Sequence, residues 1–429
     1  MAHQPPKLLL RLLGDALAET PPGRTVWVAL SGGLDSTLLL VLAAQACQAT
    51  SQPLRAIHIN HGLQAHAAVF EAHCKMLCDG LGVPLVVERV VVDTQGEGIE
   101  GAARRARYHA FKRCVPVGDT LWLAQHQDDQ AETLLLAALR GSGIRGLAGM
   151  PYRREWQGVT LLRPWLSINR QTLADAAHGL AINWCEDPTN REVAFDRNRL
   201  RHHVMPLLQA RWPGASRSLA QSAQHAGEAD QLLAEYAADE LANLTIGPGC
   251  INVAALSQRS LPRQRLLVRT LCQQQGLPTP PQKRLESLLV QLEASRDAQV
   301  KVAWEGAEAR VWRKRLYLMA PLVPLPVWQA QWDGHPGLAT PLGTLQITLN
   351  TSYPVLLRWR QGGEVINLPG RGRRDLKRLL QESELPPWER ERLIVVMDQE
   401  TCLGVIQPPA TILWQAAGIT LTPLQCAAG

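Results

Sequence analysis

The amino-acid sequence predicts an α/β fold that opens with a Rossmann-like parallel sheet. Apolar runs typical of strands alternate with helical periodicity from Val26 to about residue 140, a pattern that indicates a parallel sheet with helices on both faces. Ligands bind such sheets at the carboxyl ends of the strands. The polar segments with the most distinctive chemistry obey that rule. Ser31–Ser36 follow the first strand, Asn60–Gly62 the second and Gln125-His126 the fourth.

The other elements follow from the same two periodicities. After the strand that starts at Val26, apolar β-branched runs predict strands over Leu54–Ile59, Leu85–Val92 and Thr120–Ala124. Helical spacing predicts helices over 65–81, 100–113, 128–139, 169–179, 196–210, 216–243 and 261–293. Alternation over 299–319 predicts a β-meander, and short strands around one basic helix are expected beyond residue 330.

The length of the chain and the positions of its prolines predict the domains. A chain of 429 residues makes about two to four domains at roughly 100–200 residues each. Pro213-Gly214 marks the end of the first, and Pro321, Pro324 and Pro326 predict a stiff linker. We therefore expect a first domain over 1–215, a mainly helical second domain over 216–320, a linker over 321–330 and a small α+β C-terminal domain over 331–429.

Composition excludes several classes of protein. A hydrophobic fraction of 46% and a charged fraction of 19% fit a soluble globular protein, and no apolar stretch is long enough to span a membrane. The first residues lack a convincing signal-peptide cleavage site, so we expect a cytoplasmic protein with no membrane partner. The net charge of +6 permits a phosphate-rich partner without proving one.

The nine cysteines form no C-x-x-C pair, so the sequence does not suggest a zinc ribbon or an iron–sulfur cluster and predicts reduced thiols. His73 or Cys74 could pair with Cys78 as metal ligands at helical spacing. Packing on an amphipathic helix is the favoured interpretation, because no second ligand pair lies nearby in the sequence.

The strongest functional signal is the Ser-Gly-Gly-Leu-Asp-Ser stretch from Ser31 to Ser36, which joins a buried strand to a helix. This arrangement points backbone N–H groups at an anion, and Gly32 and Gly33 leave room for phosphate oxygens beside the main chain. Asp35 is placed to hold Mg²⁺. The spacing differs from the nucleoside-triphosphatase loop, because no Gly-Lys-Ser/Thr follows. The alternative is a turn in which Asp35 only caps the helix.

A pair of carboxylates follows the fourth predicted strand. Asp129 and Glu132 stand three residues apart, so they share a face at the start of a helix. Beside a phosphate site they would repel ATP unless a cation lay between them, and magnesium or a substrate ammonium could fill that role. The alternative is that Asp128, Asp129 and Glu132 only complement the helix dipole.

These motifs together resemble the tRNA(Ile)-lysidine synthetase family of the PP-loop ATP pyrophosphatase superfamily. SGGLDS alone would indicate only the superfamily, but the resemblance covers nearly the whole chain and is weakest between about 216 and 330. The matching motifs are SGGLDS at 31–36, IHINHGL at 57–63, Glu100 with Arg104, Arg107 and Tyr108, HQDDQAET at 126–133, RGSGIRGL at 140–147, Arg163-Pro164, WCEDPTN at 184–190, DRNRLR at 196–201, Gly372–Arg378 and Pro387-Trp388.

The resemblance implies an ATP-dependent ligase whose first domain is a PP-loop catalytic domain and whose C-terminal domain binds tRNA. Free L-lysine would be joined to C2 of the wobble cytidine of a tRNA(Ile) with a CAU anticodon, through an adenylated cytidine. The products would be lysidine, AMP and pyrophosphate, and decoding would switch from AUG to AUA. ATP and Mg²⁺ are the implied cofactors, and a homodimer is possible.

The resemblance also implies roles for individual residues. Asp129 and Glu132 would hold or deprotonate lysine, although two carboxylates raise the pKa of an ammonium that they bind. Arg104 and Arg107 would clamp phosphate or the lysine carboxylate, unless they form a solvated basic face. The implied ATP site comprises Ser31, Gly32, Gly33, Leu34, Asp35, Ser36, His61 and His126, with Asp35 as the metal ligand. Either histidine could instead be structural.

Two basic clusters are expected to contact tRNA. Arg197, Asn198 and Arg201 lie at the start of the helix predicted over 196–210 and would touch RNA or the adenylated intermediate. The second cluster lies in the C-terminal domain and would meet the tRNA backbone; it comprises Arg371, Arg373, Arg374, Lys377 and Arg378. Either cluster could be only a solvated surface. Trp388 could stack on an exposed base, but local packing beside prolines is the alternative.

Three other functions compete with this interpretation. A PP-loop tRNA thiolase is disfavoured because such enzymes generally carry cysteine pairs or a cluster. Small-molecule amide synthetases of the superfamily would not need the basic C-terminal region, and incubation with and without tRNA would separate them. A noncatalytic tRNA-binding protein would release no pyrophosphate.

Overall fold

The computed structural model describes residues 6–62, 67–92, 99–191, 194–294, 300–351 and 353–424. The chain divides into two compact units, Met1–Tyr236 and Ala237–Gly429. None of the helices in these described ranges is both long and apolar enough to cross a membrane.

The first unit is built on a six-stranded sheet. Its strands are β1 (Val26–Ala29), β2 (Leu54–Asn60), β3 (Leu85–Arg89), β4 (Thr120–Trp122), β5 (Arg153–Trp156) and β6 (Val159–Leu162). Their order is β3-β2-β1-β4-β6-β5, and every neighbouring pair is parallel except β5 with β6. The order reverses between β1 and β4, so the loops after these two strands flank the crevice in which such sheets bind ligands.

Helices cover both faces of this sheet. They are α1 (Lys7–Ala18), α2 (Leu34–Thr50), α3 (Ala67–Leu81), α4 (Ile99–Cys114), α5 (Gln127–Leu139), α6 (Ile144–Leu147), α7 (Arg170–Gly179), α8 (Asp196–Arg199), α9 (Met205–Arg211) and α10 (Ala215–Leu244). A 3₁₀ turn spans Pro188–Arg191, and a π-helical turn spans Leu200–Val204 between α8 and α9. Val26, Val28 and Leu38–Leu40 are fully buried in the main core, since a strand covered on both faces must be apolar on both.

The predicted parallel sheet and its flanking helices are confirmed. The structure also differs from the predictions. The hairpin β5–β6 and the short helix α6 were not predicted, and the helix expected over 196–210 is interrupted by the π-helical turn. Cys74 and Cys78 are fully buried in the main core. Their side chains fill space there, as the interpretation of these cysteines as packing residues requires.

In the second unit, the middle region packs helices on a five-stranded sheet. The helices are the end of α10, α11 (Val253–Ser257), α12 (Leu261–Gln274) and α13 (Gln282–Ala294), and the strands are β7 (Thr245–Gly247), β8 (Cys250–Asn252), β9 (Lys301–Trp304), β10 (Ala307–Trp312) and β11 (Arg315–Met319). The helical segment expected over 261–293 is divided into α12 and α13 by residues 275–281, and the predicted meander supplies β9, β10 and β11. The sheet contribution of β7 and β8 was not predicted.

The C-terminal region is rich in strands. They are β12 (Gln329–Trp332), β13 (Ala339–Thr340), β14 (Gly343–Thr344), β15 (Ile347–Leu349), β16 (Val355–Trp359), β17 (Val365–Leu368), β18 (Gly372–Asp375), β19 (Ile394–Asp398), β20 (Thr401–Gln407), β21 (Thr411–Gln415) and β22 (Leu421–Pro423). Two short helices accompany them, α14 (Leu376–Glu382) and α15 (Pro387–Arg390). The main sheet has the order β12-β16-β19-β20-β17-β18, with β21 beside β20.

The basic cluster is therefore not a single basic helix as predicted. Arg373 and Arg374 lie on β18, whereas Lys377 and Arg378 lie in the first turn of α14. The Asp375 side chain accepts hydrogen bonds from the backbone N–H groups of Lys377 and Arg378, at 2.7 and 3.4 Å. This cap starts the helix in the middle of the basic run.

The proline-rich segment before β12 is packed rather than free. The Trp359 indole N–H donates to the Pro326 carbonyl at 3.0 Å, and the Trp328 and Trp359 rings lie 5.2 Å apart. Arg392 donates to the Val323 carbonyl at 2.8 Å. The segment is thus fixed along the C-terminal sheet, which its proline content alone does not predict.

Candidate active site

Hydrogen bonds of Ser31 and Ser36 fix the conformation of the loop between β1 and α2. The Ser36 hydroxyl accepts from the Ser31 backbone N–H and donates to the Gly33 carbonyl, both at 3.1 Å, and the two hydroxyl oxygens lie 2.9 Å apart. Gly32 has a φ of +87°, a conformation that favours glycine. Ser31 to Ser36 therefore form a preorganised turn at the N-terminus of a seventeen-residue helix, which is a suitable site for phosphate.

Residues of neighbouring elements also contact this loop. A Cβ atom on Gly32 would lie 3.2 Å from both the Cys74 Sγ and the Phe70 ring. The Gly32 carbonyl accepts from the Cys185 N–H at 2.9 Å, and His58 Nδ1 lies 2.9 Å from the Leu30 carbonyl. The loop therefore has little freedom to shift.

Asp35 faces the crevice with part of its carboxylate unsatisfied. Its Oδ1 atom is buried and has no hydrogen-bond partner among the described residues. Burial raises the pKa of Asp35 above its ordinary value, although nearby His126 and Arg170 oppose that rise. A buried, unpartnered carboxylate oxygen beside a phosphate loop is the type of ligand that Mg²⁺ prefers, so the residues present fit a magnesium ion.

The loop after β4 brings His126 and Asp129 to the same crevice. The Asp129 Oδ2 atom accepts from the His126 backbone N–H at 3.1 Å and lies 3.4 Å from its Nε2 atom. His126 Nε2 also lies 3.8 Å from Asp35 Oδ2. His126 is only 2% exposed, so its ring is fixed between the two carboxylates.

The two predicted carboxylates share one arginine. Arg201 donates from Nε to Glu132 Oε1 at 2.7 Å, and from a terminal nitrogen to Asp129 Oδ1 at 3.0 Å and Glu132 Oε2 at 2.9 Å. Arg197 Nε lies 3.1 Å from Glu132 Oε2. The pair is therefore a buried acidic site that is compensated by two guanidinium groups.

The environments of the two carboxylates push their pKa values in opposite directions. Burial opposes ionisation of Asp129, but the charges of His126 and Arg201 outweigh it and hold the pKa of Asp129 below its usual range. Burial dominates at Glu132 and raises its pKa, against the opposing charge of Arg201. Carboxylates separated in this way can take different roles in proton transfer.

The cluster expected to contact tRNA near residue 200 lies at this acidic site. Arg197 and Arg201 face Glu132, and Arg197 also donates to the Thr133 hydroxyl at 2.8 Å. The Asn198 side chain is buried and donates to the Thr189 carbonyl at 2.8 Å. Contacts of these three residues with tRNA remain predictions, and the buried amide of Asn198 is better placed to hold the backbone than to reach RNA.

The predicted basic clamp lies on α4. Arg104 and Arg107 are both exposed, and the Arg104 guanidinium lies 5.3 Å from the centre of the Tyr108 ring. Burial and the charge of Arg107 lower the pKa of His61 to about 4. His61 is therefore a neutral imidazole near pH 7, and its Nδ1 atom is buried with no hydrogen-bond partner among the described residues.

Sequence reasoning missed two residues that support the site. Arg163 is 1% exposed; it donates to the Gln125 side chain, next to His126, and to the Pro151 carbonyl at 2.6 Å. Asp128 accepts from the Arg170 backbone N–H at 2.8 Å and from the Ser216 hydroxyl at 2.9 Å. It therefore joins the starts of α5, α7 and α10. In the sequence, Arg163 stands out only within the Arg163-Pro164 motif and Asp128 only as a first-turn acid within HQDDQAET, and neither signal revealed these contacts.

The C-terminal basic residues Arg371, Arg373, Arg374, Lys377 and Arg378 are all exposed. Trp388 packs edge-on against Tyr317, with ring centres 5.3 Å apart, and the Arg310 guanidinium lies 5.1 Å from its ring centre. Local packing therefore accounts for Trp388.

A glycine-rich phosphate loop with a partly buried aspartate, at the switch point of a parallel sheet, is the arrangement of a PP-loop enzyme that uses ATP. Residues 9–208 match a family model described as the PP-loop domain. Residues 251–317 match the TilS substrate binding domain, and residues 355–419 match the TilS substrate C-terminal domain. The chain belongs to the tRNA(Ile)-lysidine synthase family.

Relatives of the same description cover almost the whole chain. A tRNA(Ile)-lysidine synthase from Xanthomonas axonopodis pv. citri is 42% identical over 391 residues, which are 89% of each chain. Another from Pseudomonas putida is 42% identical over 412 residues, 91% of this chain and 95% of the relative. Among solved structures, the U34-tRNA thiolase NcsA from Methanococcus maripaludis is 17% identical, with a TM-score of 0.42 over 51% of this chain and 77% of its own. That likeness is too weak to add to the argument.

Proposed function

We propose that this chain joins free L-lysine to C2 of the wobble cytidine of a tRNA(Ile) with a CAU anticodon. ATP is consumed to AMP and pyrophosphate, and the tRNA changes its decoding from AUG to AUA. The observation that carries the proposal is the meeting of the phosphate loop and the Asp129–Glu132 pair around His126. The closeness of the loop and the pair supports a leaving-group site beside a site for an amine nucleophile.

In the first step the oxygen on C2 of cytosine attacks the α-phosphorus of ATP, and the bond to pyrophosphate breaks. Backbone N–H groups at the start of α2 stabilise the departing pyrophosphate, because they are fixed before the reaction begins. Asp35 would hold Mg²⁺, which supplies positive charge to the phosphates when it is bound. The His126 ring, just before α5, lies beside the Asp35 Oδ2 atom and limits the orientations open to that carboxylate.

In the second step the lysine ε-nitrogen attacks C2, and the bond from that carbon to the oxygen of AMP breaks. Asp129, whose pKa is lowered, stays ionised and orients the amine. Glu132, whose pKa is raised, is the stronger base of the pair and takes the proton that the amine must lose. This division resolves the conflict in which two ionised carboxylates would keep the nucleophile protonated.

Exposed cations contact the remaining charges of the substrates. Arg104 and Arg107 on α4 are proposed to clamp phosphate or the lysine carboxylate. His61 is proposed to line the nucleotide pocket as a neutral hydrogen-bonding group. The C-terminal basic cluster is proposed to contact the tRNA backbone. A homodimer remains a prediction.

The decisive experiment supplies labelled lysine to an unmodified tRNA(Ile) transcript. We expect label to enter the tRNA only when ATP is present, and to be absent from tRNA(Met), which carries the same anticodon. Mass spectrometry of the nucleosides would show lysidine. Release of pyrophosphate that depends on tRNA without any incorporation of lysine would overturn the choice of nucleophile.

A further inference from the structure

We propose that, in the substrate-free enzyme, Arg201 occupies the cation position between Asp129 and Glu132 and must withdraw before lysine can bind. The inference rests on the proposed function, which places the lysine amine at this carboxylate pair. It makes Arg201 a positioning residue that sets the affinity for lysine.

Each of the four oxygens of the pair accepts a hydrogen bond from a residue that the structure describes. Arg201 reaches Asp129 Oδ1 and both oxygens of Glu132, within 2.7–3.0 Å. The remaining oxygen, Asp129 Oδ2, accepts from the His126 N–H. A lysine ammonium that bound between the two carboxylates would therefore compete with Arg201 for the same oxygens. Arg201 is the donor that both carboxylates share, so its departure frees Asp129 Oδ1 and Glu132 Oε1, while Arg197 Nε stays 3.1 Å from Glu132 Oε2.

The backbone around Arg201 is suited to such a movement. Arg201 lies in the π-helical turn Leu200–Val204, between the four-residue helix α8 and α9. Such turns are rare and often lie at functional sites, where a register change can re-aim a side chain. The Arg201 side chain is 23% exposed, whereas that of Glu132 is 2% exposed. The guanidinium thus has a path to solvent that the carboxylate lacks.

Replacing one cation by another is electrostatically more favourable than leaving the carboxylate pair without Arg201 or an ammonium. Two buried carboxylates without a counter-charge are costly, so the guanidinium keeps the pair compact until an ammonium replaces it. One unit of positive charge leaves as another enters, and the total charge of the site is unchanged.

The test measures lysine binding to the full-length enzyme by calorimetry, without ATP or tRNA. If the free enzyme is competent to bind lysine about 1–10% of the time, Arg201→Gln should tighten binding roughly 10- to 100-fold. Arg199→Gln, which removes an exposed arginine from the same segment, should bind lysine as the wild type does. Unchanged or weakened binding in Arg201→Gln would show that the guanidinium is a permanent part of the lysine site and would overturn the exchange.

A second variant covers the case in which Arg201→Gln does not fold, which a thermal melt would detect. Arg201→Lys keeps the charge but loses the fork that reaches both carboxylates, so lysine binding should tighten by a smaller factor. Unchanged or weaker binding in this folded variant would also overturn the exchange. The outcome is distinct from failure of the proposed function, which would appear as lysine binding in the wild type without lysidine formation.

Discussion

The His126 imidazole lies 3.8 Å from the Asp35 carboxylate, although the two residues follow different strands of the sheet. This contact joins the phosphate loop after β1 to the acidic helix after β4. Because β1 and β4 are neighbours at the point where the strand order reverses, the topology itself brings together the two loops that are proposed to hold the leaving group and the nucleophile.

Asp35→Asn should nearly abolish tRNA-dependent release of pyrophosphate while leaving the fold intact. The substitution keeps the shape of the side chain but removes the charge of the proposed metal ligand. Pyrophosphate release and a thermal melt provide the measurements. Asp79→Asn, on the exposed face of α3, is the matched control and should retain activity. Full activity in a folded Asp35→Asn protein would contradict the role of Asp35.

Asp129→Asn and Glu132→Gln should impair lysine transfer more than cytidine activation. The proposed function assigns both carboxylates to the lysine amine and not to the leaving pyrophosphate. The two half-reactions can be followed separately, as pyrophosphate release in the absence of lysine and as transfer of lysine to the activated tRNA. An equal loss in both steps would instead assign the pair to magnesium.

Gly32→Ala should destabilise the protein by about 1–2 kcal/mol more than Gly33→Ala. Gly32 has a φ of +87°, which is unfavourable for alanine, and its new methyl group would press on Cys74 and Phe70. Gly33 has a φ of −80°, and only the Ser31 hydroxyl oxygen lies near its Cβ position, at an ordinary 3.5 Å. Urea unfolding of the two variants would measure the difference. Equal losses would show that the loop relaxes around the methyl group.

The sheet and the phosphate loop could be predicted because their signals are local. Ser31 to Ser36 are contiguous, and the spacing of Asp129 and Glu132 places them on one helix face without further information. Arg201 meets Asp129 from 72 residues away in the sequence, so no local pattern could reveal the contact. The same holds for Arg163, whose buried guanidinium reaches Gln125 across the sheet.

Short elements were also difficult to predict. The strands β5 and β6 have four residues each, and β5 is largely exposed and rich in charge, so its alternation is weak. The π-helical turn at Leu200–Val204 has ordinary helical composition. Arg201, in this turn, contacts Glu132 from 69 residues away in the sequence, and no local period encodes such a contact.

His61 should make the folded protein less stable in acid. Its pKa is about 4 in the folded protein and roughly 6.5 in an unfolded chain, so between these values the unfolded chain binds more protons. Stability is then lost as the pH falls from about 6.5 to 4. His61→Asn should lose less stability over this range, as urea unfolding at several pH values would show. His109→Asn, at an exposed position on α4, controls for the loss of a histidine. Identical pH dependence of His61→Asn and the wild type would contradict the buried, neutral state of His61.

The exposed cluster on β18 and α14 should supply affinity for the tRNA body and not chemistry. Arg373, Arg374 and Lys377 are exposed, and phosphate contacts tolerate the looser geometry of such side chains better than base recognition does. Each phosphate contact that is lost should flatten the plot of log affinity against log salt concentration by roughly 0.7–0.9. Replacing all three residues with glutamine should therefore flatten the plot by about two if all three touch the backbone.

The turnover number at saturating tRNA should survive this triple replacement, because none of the three residues belongs to the catalytic crevice proposed above. Binding titrations at several salt concentrations and steady-state kinetics together separate affinity from chemistry. Replacing Lys283 and Arg284 on α13, which are also exposed, controls for the loss of positive charge elsewhere and should affect the salt dependence less. An unchanged salt slope with a collapsed turnover number would place the cluster in folding or catalysis, since the loss of phosphate contacts alone cannot produce that combination.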